Sequence, residues 1–457
     1  MTDVDENTSL EDTEIDSPIS PFLIGIGEGG GNLLKELLSK DKNQLILNVL
    51  NDRFLAINTG PELGSLDIKD THKLMYGLTE QGAGGSPGRG KSLLSDGWNT
   101  ISTKLNDLGA KKSNLFVIFT ALAGGTGCGG VSELIKRLKT SYNNPYICVF
   151  GILPFKFEKR ADINLIWAMN ELLLITSLER KEKNPRTLLF LLSNEYLLHR
   201  LGQTTETTEY SVDTAKKFFK MVNPIAAKVI QLVLAPGLLG SKLSRGREVH
   251  KVADLMDYAN KLDPIVVACI NERCAYSGSL SLEPILRTTI SEAKYEEDNF
   301  IGPTVYLSHP PEAFKAFVVV WGESDFANLN VLEHIHDILE DKEKNYVIES
   351  SEDSMIITDQ APNRLMIILG APKIIELFYW INSAYKRLAK ARSSDHLKER
   401  IEDDYVLNFR DMAEAVVSVD TYFKTLDEER IASKKDFSSS DAKEEIQKFL
   451  QNINDGN

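Results

Sequence analysis

The sequence predicts an α/β protein: a mostly parallel sheet with crossover helices, a long central helix, and a smaller α+β unit after it. Three observations predict this. Short apolar runs alternate with amphipathic runs between Phe22 and Leu192, the pattern of strands joined by helices. A run from about Phe218 to Leu234 is apolar on most sides, as a buried helix is. Glycine-rich stretches follow two of the apolar runs, where such sheets turn from strand to helix and bind ligands.

Taken in order, Phe22–Ile26 reads as a strand and Asn32–Leu38 as a helix. Leu45–Leu50 and Phe54–Ile57 are short strand-like runs. Leu115–Ala121 reads as a buried strand, Val131–Thr140 as a helix and Ile147–Leu153 as a strand. Ile163–Leu178 is a helix and Thr187–Leu192 a strand. Ala235-Pro236-Gly237 marks a stop for the central helix. Beyond it, Ile265–Ile270, Phe317–Trp321 and Leu365–Leu369 are strand candidates, and Pro372–Ala391 and Phe409–Leu426 long helices. The expected organisation is an acidic disordered tail (1–20), an α/β domain ending in the core helix (21–240), a loop and helix (241–263), an α+β domain (264–426) and a charged tail (427–457).

Bulk composition narrows the function. The formal net charge of −14 over 457 residues argues against a general nucleic-acid binder, which needs a basic face. No apolar run of about 18 residues is present, so no transmembrane segment is expected. The acidic start is unlike a signal peptide. Cys128, Cys148, Cys269 and Cys274 lack paired metal spacing, which fits a reduced, cytoplasmic setting. Cys269 and Cys274 read as core thiols. His334 and His336, two apart, do not share a helix face, so no metal site is expected there.

Ala123-Gly124-Gly125-Thr126-Gly127-Cys128-Gly129-Gly130 carries most of the functional signal. Glycines between a strand and a helix let backbone N–H groups converge on an anion, and the helix points its positive end there. Gly25-Ile-Gly27-Glu28-Gly29-Gly30-Gly31-Asn32 contains the spacing of a dinucleotide fold, with Asp52 about twenty residues on. A third loop, Gln81–Gly90, overlaps a Walker-type spacing in Gly85–Ser92. That motif needs a buried strand directly before it, and Gly77–Gly82 is polar. Three glycine loops suit three phosphates better than a pyrophosphate.

With these loops placed, the chain resembles the tubulin/FtsZ superfamily of GTPases over roughly residues 21–425. The loops at Gly25 and Ala123 look like that family's first and fourth nucleotide loops. Phe54-Leu-Ala-Ile-Asn-Thr59, the Gly82-Ala83-Gly84 loop, Pro154-Phe-Lys-Phe-Glu158 and Leu191-Leu-Ser-Asn194 follow in the family's order. Ile374–Lys386 and Phe409–Phe423 resemble tubulin's late helices. The first half leans to FtsZ, the second to tubulin or the archaeal CetZ group.

The resemblance implies a parallel Rossmann-like GTPase domain, GTP or GDP with Mg²⁺ as ligands, and self-association into head-to-tail protofilaments for cell division or cell shape. It implies nucleotide contacts from Gly27, Glu28, Gly29, Gly30 and Asn32, from Asn58, from Gly82, Ala83 and Gly84, and from Gly124, Gly125, Thr126, Gly127 and Cys128. Glu158 corresponds to the ribose-binding glutamate. Asn194 and Asn223 correspond to the guanine-reading asparagines, whose carbonyls accept from guanine N–H donors, and Phe219 to the stacking aromatic. Val252-Ala-Asp254-Leu-Met-Asp257 looks like the catalytic loop that completes hydrolysis on the neighbouring subunit. Three apart on a helix, Asp254 and Asp257 share a face and can address one water.

Departures from the family pattern matter as well. Glu28 stands where FtsZ has glycine; a carboxylate there repels phosphates unless Mg²⁺ intervenes, so Glu28 is expected to touch the metal. Arg160 stands near the family's arginine only by proximity. Val252 replaces an asparagine, and Ser241–Lys251 looks like an insertion at the subunit interface. Glu28 and Val252 support an alternative function: a divergent GTP-binding regulator or scaffold with weak or no hydrolysis.

Overall fold

The computed structural model describes residues 20–39, 50, 52–77, 82–158, 160–205, 211–243, 264–274, 276, 282–291, 294–296, 299–308, 311–341, 346–357 and 362–437. The first half runs β1 (Pro21–Ile26), α1 (Gly27–Leu37), β2 (Phe54–Asn58), β3 (Lys73–Met75), α2 (Pro87–Asp107), β4 (Leu115–Ala121), α3 (Gly125–Ser141), β5 (Tyr146–Leu153), α4 (Ala161–Lys181), β6 (Thr187–Ser193), α5 (Asn194–Arg200) and α6 (Val212–Leu243). The second half runs β7 (Ile265–Asn271), α7 (Leu282–Ser291), β8 (Lys294–Glu296), β9 (Asn299–Pro303), β10 (Ala313–Gly322), α8 (Leu329–Leu339), β11 (Val347–Ile357), β12 (Arg364–Gly370), α9 (Ile375–Arg392), α10 (Asp395–Tyr405) and α11 (Phe409–Phe437).

Strands β6, β5, β4, β1, β2 and β3 lie side by side and all parallel. Their near-continuous apolar sequences follow from burial on both faces. Side chains alternate: Phe22, Ile24 and Ile26 enter one core, with α2, α3, α4, α9 and α11, while Leu23 enters the other, with α1, α5 and α6. The later strands do not form a separate sheet. β7 pairs parallel to β6 through Leu189↔Ile265 and Phe190↔Val266, and antiparallel β12 then joins β7 to β10. The α+β unit therefore extends the parallel sheet at its edge.

Helix α4 is long and apolar enough to cross a membrane by length and composition, but 78% of that window is buried inside the molecule. It packs against α3, α9 and α11.

Helix starts differ from expectation in one consistent way. α1 and α3 begin at Gly27 and Gly125, inside the glycine runs, rather than at Asn32 and Val131. The glycines are the first helical turns, pressed against neighbouring backbone. A Cβ on Gly30 would stand 2.0 Å from the Phe119 carbonyl oxygen, and one on Gly129 1.9 Å from that of Pro87. Helix α6 starts at Val212, where the Ser211 hydroxyl accepts from the Thr214 N–H at 3.1 Å, and continues through Pro236 to Leu243. The expected stop at 235–237 is corrected: a proline removes one backbone donor, and the turns on either side keep theirs. The strand-like run at Leu45–Leu50 falls, except for Leu50, outside the described residues.

Packing of this kind makes a direct prediction. Gly30→Ala drives a methyl into the backbone of β4 and is expected to cost about 1–3 kcal/mol in chemical denaturation. Gly64→Ala, with nothing within 4 Å of the new methyl, is expected to stay within about 0.5 kcal/mol of the parent.

Candidate functional site

The carboxyl ends of β1, β2, β4, β5 and β6 open into a cleft of about 580 Å³, within the usual size of a small-ligand site. One end of the cleft suits an anion. α1 and α3 both start there, and the first N–H groups of a helix have no intrahelical acceptor and sit at its positive pole. The two glycine runs touch, since a Cβ on Gly27 would lie 3.1 Å from the Gly127 nitrogen. Gly124, the N-cap of α3, has open space where its side chain would be.

The Gly82–Gly85 turn roofs this end, with Gly82, Gly84 and Gly85 all at left-handed φ. It is stitched down from below. Thr59 Oγ1 accepts from the Ala83 N–H at 3.0 Å and lies 2.6 Å from Thr126 Oγ1. The Asn164 amide donates to the carbonyls of Gly85 at 3.0 Å and Ala123 at 2.5 Å. The sequence reading missed both as site residues. Thr59 stood inside a quoted motif, so its position was legible. Asn164 had no local signal, because its partners lie 79 and 41 residues away.

The other end presents Asn194 at the start of α5, with Phe219 and Asn223 one turn apart on α6. Asn194 is 4% exposed and its Oδ1 has no hydrogen-bond partner. The Phe219 ring sits edge-on to Phe155 at 5.2 Å. Between the two ends, Glu158 accepts from the Phe155 N–H at 2.8 Å.

Of the expected residues, Gly27, Glu28, Gly29, Asn32, Asn58, Gly82, Ala83, Gly84, Gly124, Gly125, Thr126, Gly127, Glu158, Asn194, Phe219 and Asn223 line this one cleft. Gly30 and Cys128 do not. Gly30 is pressed on β4, and the buried Cys128 thiol points away and donates to the Asn164 carbonyl at 2.8 Å. Burial pushes that thiol's pKa far up. Asp254, Asp257 and Val252 lie outside the described residues, as does Ser244–Lys251 of the apparent insertion. Lys35, Glu62, Lys216 and Lys220 also line the cleft, and no motif pointed to them.

Both decoys resolve. Lys91 of the Walker-like spacing pairs with Glu171 at 2.9 Å, and a turn rather than a strand precedes it. Asp52 enters β2 at the end away from the cleft and pairs with Lys69 at 3.2 Å. Arg160 does not line the cleft; it donates to the Asp404 carboxylate at 2.6 Å. Cys269 and Cys274 are buried among apolar side chains of β10, β12, α7 and α8.

Acidic groups crowd the site. Burial, reinforced by Glu62, raises the Glu28 carboxyl, while Lys216 pulls it back. Burial raises Glu158 to about 7, against the Phe155 N–H and with Glu28 adding to the rise. Behind Asn194, burial likewise lifts Glu376 to about 7, with Glu195 adding to it. From the ordinary 4.5, the folded chain holds these protons to higher pH than the unfolded one. The stability they contribute is full below about 4.5 and is lost as pH rises through about 7. Glu158→Gln or Glu376→Gln is therefore expected to flatten the fall in melting temperature between about pH 5 and pH 8, measured against the parent.

Comparison with known proteins agrees with this geometry. Residues 22–178 match the family model "Tubulin/FtsZ family, GTPase domain". The tubulin-like protein CetZ3 of Haloferax volcanii is 25% identical over 147 residues, covering 30% of this chain and 36% of that protein. The cell division protein FtsZ of Helicobacter pylori is 28% identical over 151 residues, covering 31% and 36%. The matched stretch thus spans about a third of the length of these relatives. Among solved structures, the GTPγS-bound protofilament of CetZ2 from Haloferax volcanii matches with TM-score 0.62 at 19% identity, over 82% of this chain and 100% of that one. At that identity the likeness is one of fold. The parallel sheet whose glycine-opened helices meet at its carboxyl edge is thus the part of the chain, residues 22–178, that is similar to the tubulin/FtsZ GTPase domain.

Proposed function

We propose that the chain binds guanine nucleotide in this cleft, hydrolyses GTP, and assembles head to tail into protofilaments in the cytoplasm for cell division or cell shape. The observation that carries the reading is the two-ended cleft. Helix N-termini for phosphates stand at one end, and the unpartnered Asn194 carbonyl for a base donor stands at the other. Asn194 and Asn223 accept from guanine, Phe219 stacks on it, and Glu158 accepts from a ribose hydroxyl. The backbone of Gly27–Gly29 and Gly124–Gly127 holds the phosphates, and the Gly82–Gly84 turn covers the terminal one.

Glu28, with Glu62 close enough to raise its pKa, offers the hard oxygen donors that suit Mg²⁺. When bound, the metal supplies neutralisation of phosphate charge. Asp254 and Asp257 of the next subunit polarise the attacking water, so hydrolysis waits for assembly.

Three measurements test this. Denatured protein is expected to release guanine nucleotide; release of a dinucleotide overturns the reading. Phosphate release per molecule is expected to rise with protein concentration above a threshold, together with GTP-dependent pelleting. Asp257→Ala is expected to lower that release about a hundredfold or more while leaving GTP binding intact. GTP binding with hydrolysis indifferent to concentration favours the regulator reading, for which Glu28 and Val252 speak.

A further inference from the structure

Helix α6 extends two turns ahead of Phe219. Lys216, Phe219, Lys220 and Asn223 fall at i, i+3, i+4 and i+7, one stripe of the helix, and all four line the cleft. Both lysines are exposed, and neither has an ion-pair partner among the described residues. Lys216 faces Glu28 closely enough to act on it electrostatically. Lys217, between them in sequence, is exposed but does not line the cleft.

Charge makes this arrangement informative. Glu28, Glu62 and Glu158 line the cleft, on a chain of net charge −14. A site so acidic disfavours a polyphosphate unless fixed cations offset it. The helix poles supply partial charges from one side only. A lysine is a compact charge on a flexible stem with three donors, suited to following an anion from the solvent side.

Resting on the guanine-nucleotide reading, we propose that Lys216, assisted by Lys220, is a positioning and specificity residue that clamps the nucleotide's phosphate chain from the α6 side. In the free protein Glu28 is the charge Lys216 faces; with nucleotide bound, the phosphates take that place. Discrimination then grows with phosphate number, because guanosine has no charge for the lysine to meet.

The test compares affinities of the full chain for fluorescent GTP, GDP and guanosine at low and at physiological salt. Lys216→Glu is expected to weaken GTP about tenfold, GDP less, and guanosine not at all. Lys216→Glu/Lys220→Glu is expected to deepen the loss and flatten the salt dependence of GTP binding. Lys216→Arg keeps the charge and is expected to stay within about twofold of the parent. Lys217→Glu makes the same charge change on the same helix and is expected to preserve the ranking. Equal losses for GTP and guanosine, or no loss for GTP, overturn the clamp while leaving the guanine reading standing. A parent chain that binds none of the three overturns both.

Discussion

Backbone packed directly on backbone is the constraint on which the rest of this structure depends. Three helices start over the same strand ends, and they approach so closely that no side chain fits between them. A Cβ on Gly90 would stand 2.1 Å from the Gly125 carbonyl oxygen, and one on Gly125 2.6 Å from the Ser86 nitrogen. Helix starts ordinarily stand apart by the width of their side chains. Here α2 and α3 do not, so the Gly82–Gly85 turn that leads into α2 is brought directly over the first turn of α3. The anion end of the cleft follows from that approach.

The second organising feature is a site built from opposed charges. Helix poles and lysines surround carboxylates that burial has already pushed toward their neutral forms. Glu28 adds to the cost of ionising Glu158, on top of burial. A site in this state gains from any arriving cation, and it admits an anion only where helix poles and lysines offset the carboxylates. The pH-dependent stability and the phosphate-number dependence predicted above are two consequences of one electrostatic arrangement.

Much of this was legible in the sequence, because it is local. Leu115–Ala121 is a strand over the range its apolar run suggested. The glycine loops named the ligand end, and the order of motifs along the chain named the fold. What stayed hidden depends on distant partners. Asn164 reads as an ordinary helix residue until Gly85 and Ala123 fold over it. The joining of β7 to β6 rests on two residue pairs that no periodicity marks. The polar turns opening α6 lack an apolar stripe, which hid both the early helix start and the lysines facing the cleft. Cys128 was misplaced because its loop was read as a turn; once it is helix, the side chain at that position points into the core.

The Gly82–Gly85 turn shows how local and distant constraints meet. From the first half of the chain it is held by Thr59 and Asn164. From the C-terminal helices it is held by α10, whose last residue, Tyr405, accepts from the Ser86 hydroxyl at 2.6 Å. Arg160 reaches both the Gly84 carbonyl at 3.4 Å and Asp404. The next residue, Val406, caps α10 at φ 50°, a left-handed conformation that β-branched side chains rarely adopt. Its carbonyl lies where a Cβ on Gly88 would be, 2.0 Å away. That strain persists only while its surroundings over-determine it, and the surroundings here are the start of α2 and the turn before it. A displacement of the turn therefore strains or breaks contacts in both halves of the chain at once. The cleft roof is held by stretches of chain far apart in sequence, which is why its position could not be read from any one of them alone.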